Sequence, residues 1–475
     1  MTSLVPHAPL PTTLGELRAA GHEHKSVRQE LRDNLVAMLA AGEPRFPGIV
    51  GFDDTVLPQL ERALLSGHDV VLLGERGQGK TRLIRSLVNL LDEWTPVLAG
   101  SETNDHPYAP VSSWGRRQVA ELGAAAPVAW LHRADRYGEK LATPDTSVGD
   151  LIGDVDPVKL AEGRTLGDPE TIHFGLVPRT NRGIFSVNEL PDLAERIQVA
   201  LLNVLEERDI QVRGHLLRLP LDLIVVASAN PEDYTNRGRI ITPLKDRFGA
   251  EIRTHYPLRL DDEIALVRQE AVLTWPGGKH PAPVVPDHLL DVIARLARAV
   301  RRAPQVDQRS GVSARFAIAA TETAAASAVR RAAITGEPAV ARVVDLPAIV
   351  PAVLGKVEFD QMEEGRELEL LSHLLRRSVS ETFRARLGGA DLSGVLARFG
   401  EGGTVETGEL TPASVVLSRF GPVKGLAKLL LRLGIDGASE QPGVVAGALE
   451  LTMEGLHLSK RLSKEELPGR AVYGS

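Results

Sequence analysis

Gly74, Glu75, Arg76, Gly77, Gln78, Gly79, Lys80 and Thr81 form a complete G-x-x-x-x-G-K-S/T loop. Glycines at this spacing let a backbone wrap closely and aim its N–H groups at phosphate oxygens. A lysine placed as Lys80 is reaches the β and γ phosphates of a nucleotide, and a hydroxyl placed as that of Thr81 ligates Mg2+. That chemistry needs a buried strand, a turn and a helix start in that order. The apolar run Asp69-Val70-Val71-Leu72-Leu73 precedes the loop, and Arg82-Leu83-Ile84-Arg85-Ser86-Leu87-Val88 follows with helical character. A helix N-terminus adds partial positive charge at the same place. A chance glycine-rich turn would need neither flank. The segment therefore predicts a nucleoside triphosphate site, Arg82 included.

Four further segments offer partners for it. Gly183-Ile184-Phe185-Ser186-Val187-Asn188-Glu189 is an apolar strand ending in two polar residues, where a Walker B segment places its Mg2+-holding and water-activating groups. Leu223 to Ala229 is another such run and ends in Asn230-Pro231, the position of a sensor-1 asparagine. Arg247 stands before Phe248-Gly249, and Arg315 sits inside an alanine-rich helical stretch. The last three have plainer alternatives: a turn cap for Asn230, a surface pair with Asp246 for Arg247, and a helix cap or ion pair for Arg315.

The elements that must hold these residues follow from pattern. From Arg45 to about Tyr256, apolar runs alternate with helical segments, as in a mainly parallel α/β sheet. Strands are expected at 69–73, 127–131, 183–187 and 222–228, continuous apolar runs of the kind buried on both faces. Ser26 through Leu31, Leu35 and Leu39 has helical spacing, and the chain beyond Pro286 is helical and alanine-rich. In the tail, 366–386 and 411–433 carry leucines and arginines at helical spacing, expected to pack on their own domain.

Composition narrows the class. The 475 residues carry 55 basic and 62 acidic side chains, a net charge of -7, so there is no global footprint for nucleic acid. Without cysteine there is no disulfide, thiolate zinc site or cysteine nucleophile. No apolar stretch approaches the roughly 18 residues needed to span a bilayer, and the first residues lack a signal-peptide pattern. A cytoplasmic protein is expected.

The ordered set of motifs resembles the AAA+ ATPases, and within them the magnesium-chelatase I-subunit and MoxR-like group, from about Phe46 to Phe316. Ile49-Val50-Gly51 looks like the family's entry segment beside the adenine. Gly149 to Asp156, with Gly175-Leu176-Val177 and Asn181-Arg182-Gly183-Ile184, is similar to a helix-2 hairpin insertion. Arg208 to Gly214 with Leu217 to Pro220 looks like a second hairpin.

The resemblance implies an AAA+ P-loop core over 46–256 (a parallel sheet sandwiched by helices), preceded by a helical segment over 1–45. An α-helical lid over 257–355 and a helical C-terminal extension over 356–475 would follow. It implies a Mg2+-dependent ATPase acting as a homo-oligomeric ring, expected as a hexamer. Lys80, Thr81, Glu189 and Asn230 would act from one subunit, Arg247 would enter from the neighbour as an arginine finger, and Arg315 would be sensor 2. One residue departs from the family pattern: Asn188 stands where an aspartate precedes the glutamate. It can accept a hydrogen bond from Mg2+-bound water but brings no charge, so weaker metal affinity or slower hydrolysis is expected.

The substrate is open. The resemblance implies remodelling or activation of a protein partner, with a separate von Willebrand A-type domain protein as that partner, since no Asp-x-Ser-x-Ser run occurs here. A true porphyrin magnesium chelatase subunit is a narrower version. A DNA-acting or transcription-regulating ATPase is another: Arg164, Arg179, Arg182, Arg208, Arg213 and Arg218 in the hairpin-like segments would line a pore or meet phosphates. The charge balance weighs against it. A nucleotide-gated scaffold with little turnover is a third reading, motivated by Asn188 and distinguished by whether Asn188→Asp sharply raises the rate.

Overall fold

Alternating side chains of the central strands build two different cores. The computed structural model describes residues 10–156, 158, 161, 171–207, 210–212, 215–217, 219–230, 239–274, 281–307, 311–436 and 441–475. The chain divides into two compact units, Met1–His255 and Tyr256–Ser475.

In the first unit, strands β1 (Val70–Leu73), β2 (Tyr137–Leu141), β3 (Gly183–Asn188), β4 (Leu223–Ala229) and β5 (Ala250–Arg253) form one sheet in the order β5-β1-β4-β3-β2. Every pairing is parallel, and β1, β3 and β4 are buried along their whole length. Burial on both faces is why these three read as unbroken apolar runs. Helices α1 (Val27–Ala41), α2 (Val56–Leu65) and α3 (Lys80–Ser86) cover one face, where Leu31, Leu60, Leu83 and Ile84 pack on Val70, Leu72, Ile184 and Val226. Helices α4 (Glu195–Glu206) and α5 (Thr242–Arg247) cover the other, where Ile197, Leu201 and Leu244 pack on Val71, Phe185, Val187 and Val225. The sheet is sandwiched by helices.

Three strands differ from the sequence expectation. The run at 127–131 forms a strand, Val128–His132, but it pairs antiparallel with Trp94–Leu98 outside the central sheet, and only Val128 of it is buried. The place beside β3 goes to β2, whose sequence Tyr-Gly-Glu-Lys-Leu is mostly half-exposed. β5 was not anticipated either. Both β2 and β5 are edges, and an edge strand needs no apolar run.

Helix α1 is locked into this unit. Ser26 and Gln29 form a capping box at its start, and Gly42 ends it in the left-handed conformation. Glu30 accepts a bidentate bond from the guanidinium of Arg136 at 2.6 and 2.7 Å, with both residues buried, and also accepts from the Asp92 N–H at 2.6 Å. Arg136 donates its Nε to the Arg182 carbonyl at 2.7 Å. Removing one partner of a buried pair leaves an uncompensated charge, so Glu30→Ala is expected to destabilise the unit by about 3–5 kcal/mol. Denaturant unfolding measures this, and a loss below about 1 kcal/mol, the scale of an exposed pair, would refute it.

The hairpin-like segments do form antiparallel pairs, Gly153–Val155 with Ile172–Phe174 and Ile210–Val212 with His215–Leu217.

In the second unit, helices α6 (Leu260–Glu270), α7 (Asp287–Arg302), α8 (Arg315–Thr335), α9 (Glu367–Leu387) and α10 (Pro442–Leu458) surround one continuous core, which runs from Ile264 to Tyr473. Helix α10 is buried nearly all round, as a helix without a polar face must be. The expected helix at 366–386 is α9. The stretch 411–433 is two helices, Ala413–Phe420 and Leu426–Arg432, separated at Gly421-Pro422, with Leu429 and Leu430 buried in the core. A small antiparallel sheet, β6 (Val405–Gly408), β7 (Ser463–Leu467) and β8 (Arg470–Gly474) in the order β6-β8-β7, was not anticipated in the tail. Among the described residues, no helix is long and apolar enough to cross a membrane.

Candidate functional site

The phosphate loop emerges from β1 at the carboxyl end of the sheet, the edge where open α/β folds bind ligands. Gly77 and Gly79 have φ of 73° and 78°, which only glycine adopts readily. Gly74 is required for space: a Cβ there would lie 2.0 Å from Thr254 Oγ1 and 2.2 Å from Gln78 Oε1. Those two atoms are bonded to each other at 2.7 Å, and the Gly74 N–H donates to the Ala229 carbonyl at 3.2 Å. The loop is thus tied inward to β4 and to the residue after β5. Glu75, Gln78, Lys245, Glu251 and Arg253 line an adjoining cavity of about 400 Å3.

Lys80 is buried, with its ammonium turned onto the loop. It donates to the carbonyls of Gly74 and Glu75 and to Asn230 Oδ1 at 2.7 Å. Asn230 in turn donates through Nδ2 to Glu189 Oε2 at 2.7 Å. Glu189 takes φ 56° and ψ 49°, a left-handed conformation that costs a non-glycine residue about 1–3 kcal/mol and persists only where its surroundings impose it. The kink at the end of β3 brings its carboxylate to the end of β4. Lys80, Asn230 and Glu189, far apart in sequence, form one hydrogen-bonded chain.

Asn188 lies beside that chain and is buried. Its Oδ1 accepts from Ser228 Oγ at 3.2 Å, and its Nδ2 donates to Glu139 Oε1 at 2.6 Å. A carboxylate can only accept, so the amide nitrogen must be the atom facing Glu139. Glu139 lies on β2. It also accepts from Arg85 at 2.7 and 2.9 Å and from the Tyr137 hydroxyl at 3.0 Å. Burial pushes the Glu139 carboxyl up, but the bonds from Arg85, Tyr137 and Asn188 outweigh it and hold it below the usual range. Sequence reasoning missed Glu139, and the only available signal was an acidic residue inside a weak edge strand.

The other expected residues are placed as follows. Thr81 is half-buried and Arg82 exposed on α3, and Arg76 is exposed at the loop tip. Ile49 and Val50 are half-buried. Ile49 packs on the α3-side core, and a Cβ on Gly48 would lie 2.9 Å from the Arg82 guanidinium. Arg247 is in the last turn of α5, exposed, and bonded to Glu206 at 2.9 Å and Asp246 at 3.1 Å. Those partners raise its pKa. It does not join the Lys80–Asn230–Glu189 chain. Arg315 opens α8 in the second unit, exposed, its N–H on Ser313 Oγ at 3.2 Å.

Of the hairpin arginines, Arg182 is buried and donates to Thr95 Oγ1 at 2.9 Å, so it is not a pore or phosphate residue. Arg179 is exposed, its guanidinium 3.3 Å from His173 Nε2. Arg164, Arg208, Arg213 and Arg218 lie outside the described residues.

No family model matches the chain. Its curated relatives include the magnesium-chelatase subunit ChlI of Nostoc sp., 30% identical over 221 residues, which are 44% of this chain and 54% of that protein. The chloroplastic ChlI-1 of Arabidopsis thaliana is 29% identical over 237 residues, covering 48% of this chain and 51% of that one. The chain spans about half the length of the curated relatives it matches. Among solved structures, the complex of magnesium-chelatase subunits BchI and BchD aligns over 69% of this chain and 98% of that one at 21% identity. Its TM-score is 0.35, too low to bear on the reading. In its sequence likeness and its ordered motifs, the chain resembles the AAA+ ATPases of the magnesium-chelatase I-subunit and MoxR-like group.

Proposed function

We propose that this chain hydrolyses ATP with Mg2+ in an oligomeric ring and uses the turnover to remodel or activate a separate protein partner. The observation that carries the reading is the Lys80–Asn230–Glu189 chain set against a glycine loop in which Gly74 leaves no room for a side chain. The Gly74–Thr81 loop, with Arg82, Ile49 and Val50, would hold ATP, and Thr81 with Asn188 would hold Mg2+, Asn188 through water. Bound Mg2+ supplies positive charge to the phosphate oxygens.

Lys80 donates to phosphate oxygens in place of its own loop carbonyls. Glu189 orients the attacking water and takes its proton at a carboxylate oxygen, and Asn230 holds that carboxylate in place. Arg247 acts on the neighbouring subunit's nucleotide as an arginine finger, and Arg315 is the sensor-2 residue. In this reading the core covers 46–256, the lid 257–355 and the extension 356–475. The ring is a hexamer working in the cytoplasm, and the partner carries a von Willebrand A-type domain.

The test is steady-state hydrolysis at increasing protein concentration with Mg2+, using Lys80→Ala as the blank. A rate per subunit that climbs with concentration is expected, because the site is completed by assembly. A flat rate would remove the trans site, and ATP binding without turnover would leave a nucleotide-gated scaffold. The names of the relatives favour one narrower reading, the ATPase subunit of a porphyrin magnesium chelatase. Mg2+ insertion into a protoporphyrin, assayed with companion subunits, distinguishes it.

A further inference from the structure

The neutral Asn188 is not alone at its end of the sheet. Glu139, Ser186 and Val226 are register partners across β2, β3 and β4, and Leu141 is the partner of Asn188. Side chains alternate along a strand, so Glu139 and Asn188 lie on one face. Val226 places that face under α3, with Leu83 and Ile84. Helix α3 also carries Arg85, which binds Glu139. Thr81 is four residues before Arg85, and such pairs are helix-surface neighbours, about 5–6 Å apart at Cβ. The carboxylate of Glu139 is thus bonded to the helix that bears, one turn before Arg85, the Mg2+-binding hydroxyl expected of Thr81.

We propose that Glu139, acting across the Asn188 amide, supplies the negative charge that the Mg2+ site would otherwise lack, so that the two residues together replace a single aspartate. The proposal rests on the reading of this site as one for ATP and Mg2+. It explains why position 188 is neutral: an aspartate there would set two carboxylates against each other where Asn188 now donates at 2.6 Å. Glu139 is a positioning and charge-supplying residue that orients the Asn188 oxygen, since its own Oε1 takes the amide nitrogen. The proposal also changes what Asn188→Asp should do. On its own it brings repulsion rather than a faster enzyme.

The experiment is the Mg2+ dependence of binding of a fluorescent ATP analogue to the full chain. Glu139→Gln is expected to raise the Mg2+ concentration for half-saturation about 10–100-fold, the usual effect of losing an outer-shell partner of a metal ligand. Arg85→Gln removes the cation but keeps the carboxylate, so it should shift the requirement to lower Mg2+. Asn188→Asp combined with Glu139→Gln restores one charge and one amide, with positions exchanged, and should bring the requirement back to within about threefold of the parent if the pair acts as one acid.

A purely structural Arg85–Glu139 bridge predicts instead that Glu139→Gln and Arg85→Gln move the Mg2+ requirement in the same direction, or not at all, and that the double variant restores nothing. Either result overturns the proposal. Failure of the underlying site reading would look different: the parent chain would bind the analogue no better than Lys80→Ala at any Mg2+ concentration.

Discussion

Replacing Arg247 with alanine is expected to lower ATP turnover per subunit by about 10³–10⁵-fold, the span an arginine finger contributes to phosphoryl transfer. Nucleotide affinity should be little changed. Phosphoryl transfer builds charge on the equatorial oxygens, and a guanidinium that reaches them only in the assembled ring stabilises that state without helping the isolated subunit bind. The geometry suits such a role. Arg247 ends α5, is exposed, and is held by Glu206 and Asp246, two partners a neighbouring site can replace. A loss of turnover from unfolding is not expected, because Leu244 anchors α5 in the core independently of Arg247.

Complementation makes the test specific. Arg247→Ala subunits keep an intact nucleotide site, and Lys80→Ala subunits keep an intact finger. Mixing the two inactive variants should restore part of the rate. Turnover within tenfold of the parent for Arg247→Ala alone, or no recovery on mixing, would return Arg247 to the plain surface pair it forms in the single chain.

Glu189→Gln is expected to reduce turnover by about 10²–10⁴-fold, the usual contribution of a positioned general base, while ATP binding persists. The glutamine oxygen can still accept from Asn230 Nδ2, as Glu189 Oε2 does at 2.7 Å, so the Lys80–Asn230 link and the kink at the end of β3 should survive. The ability to take a proton is lost. Single-turnover hydrolysis compared with nucleotide retention in a filter assay separates the two effects. A rate within tenfold of the parent would mean that another group activates the water. Loss of binding in step with rate would mean that Glu189 holds the loop rather than the chemistry.

Much of this site was legible in the chain itself. The glycine loop, Lys80 and Thr81 are contiguous, and their flanks had to be strand and helix for the motif to function. Asn188, Glu189 and Asn230 were legible because polar residues terminate apolar runs, and a strand buried on both faces has no other way to present a polar group. The cap at Ser26 and the stripe of α1 were equally local.

Other features had no local signature. The apolar run at 128–132 has the composition of a core strand, yet it pairs with 94–98, and the polar Tyr137–Leu141 takes the sheet edge beside β3. Which strand occupies an edge depends on what lies across it, not on its own pattern. The three-stranded sheet of the second unit joins Val405–Gly408 to strands more than fifty residues later, a pairing set by packing.

The same holds for the chemistry. Sequence by itself determined the phosphate loop, the three buried strands and the residues at their ends, because each depends on neighbours within one element. Only the tertiary structure set Glu139 on Asn188 and Lys80 on Asn230, separations of 49 and 150 residues. Those contacts arise where parallel strands from distant parts of the chain end side by side, and no single segment carries the information that they do.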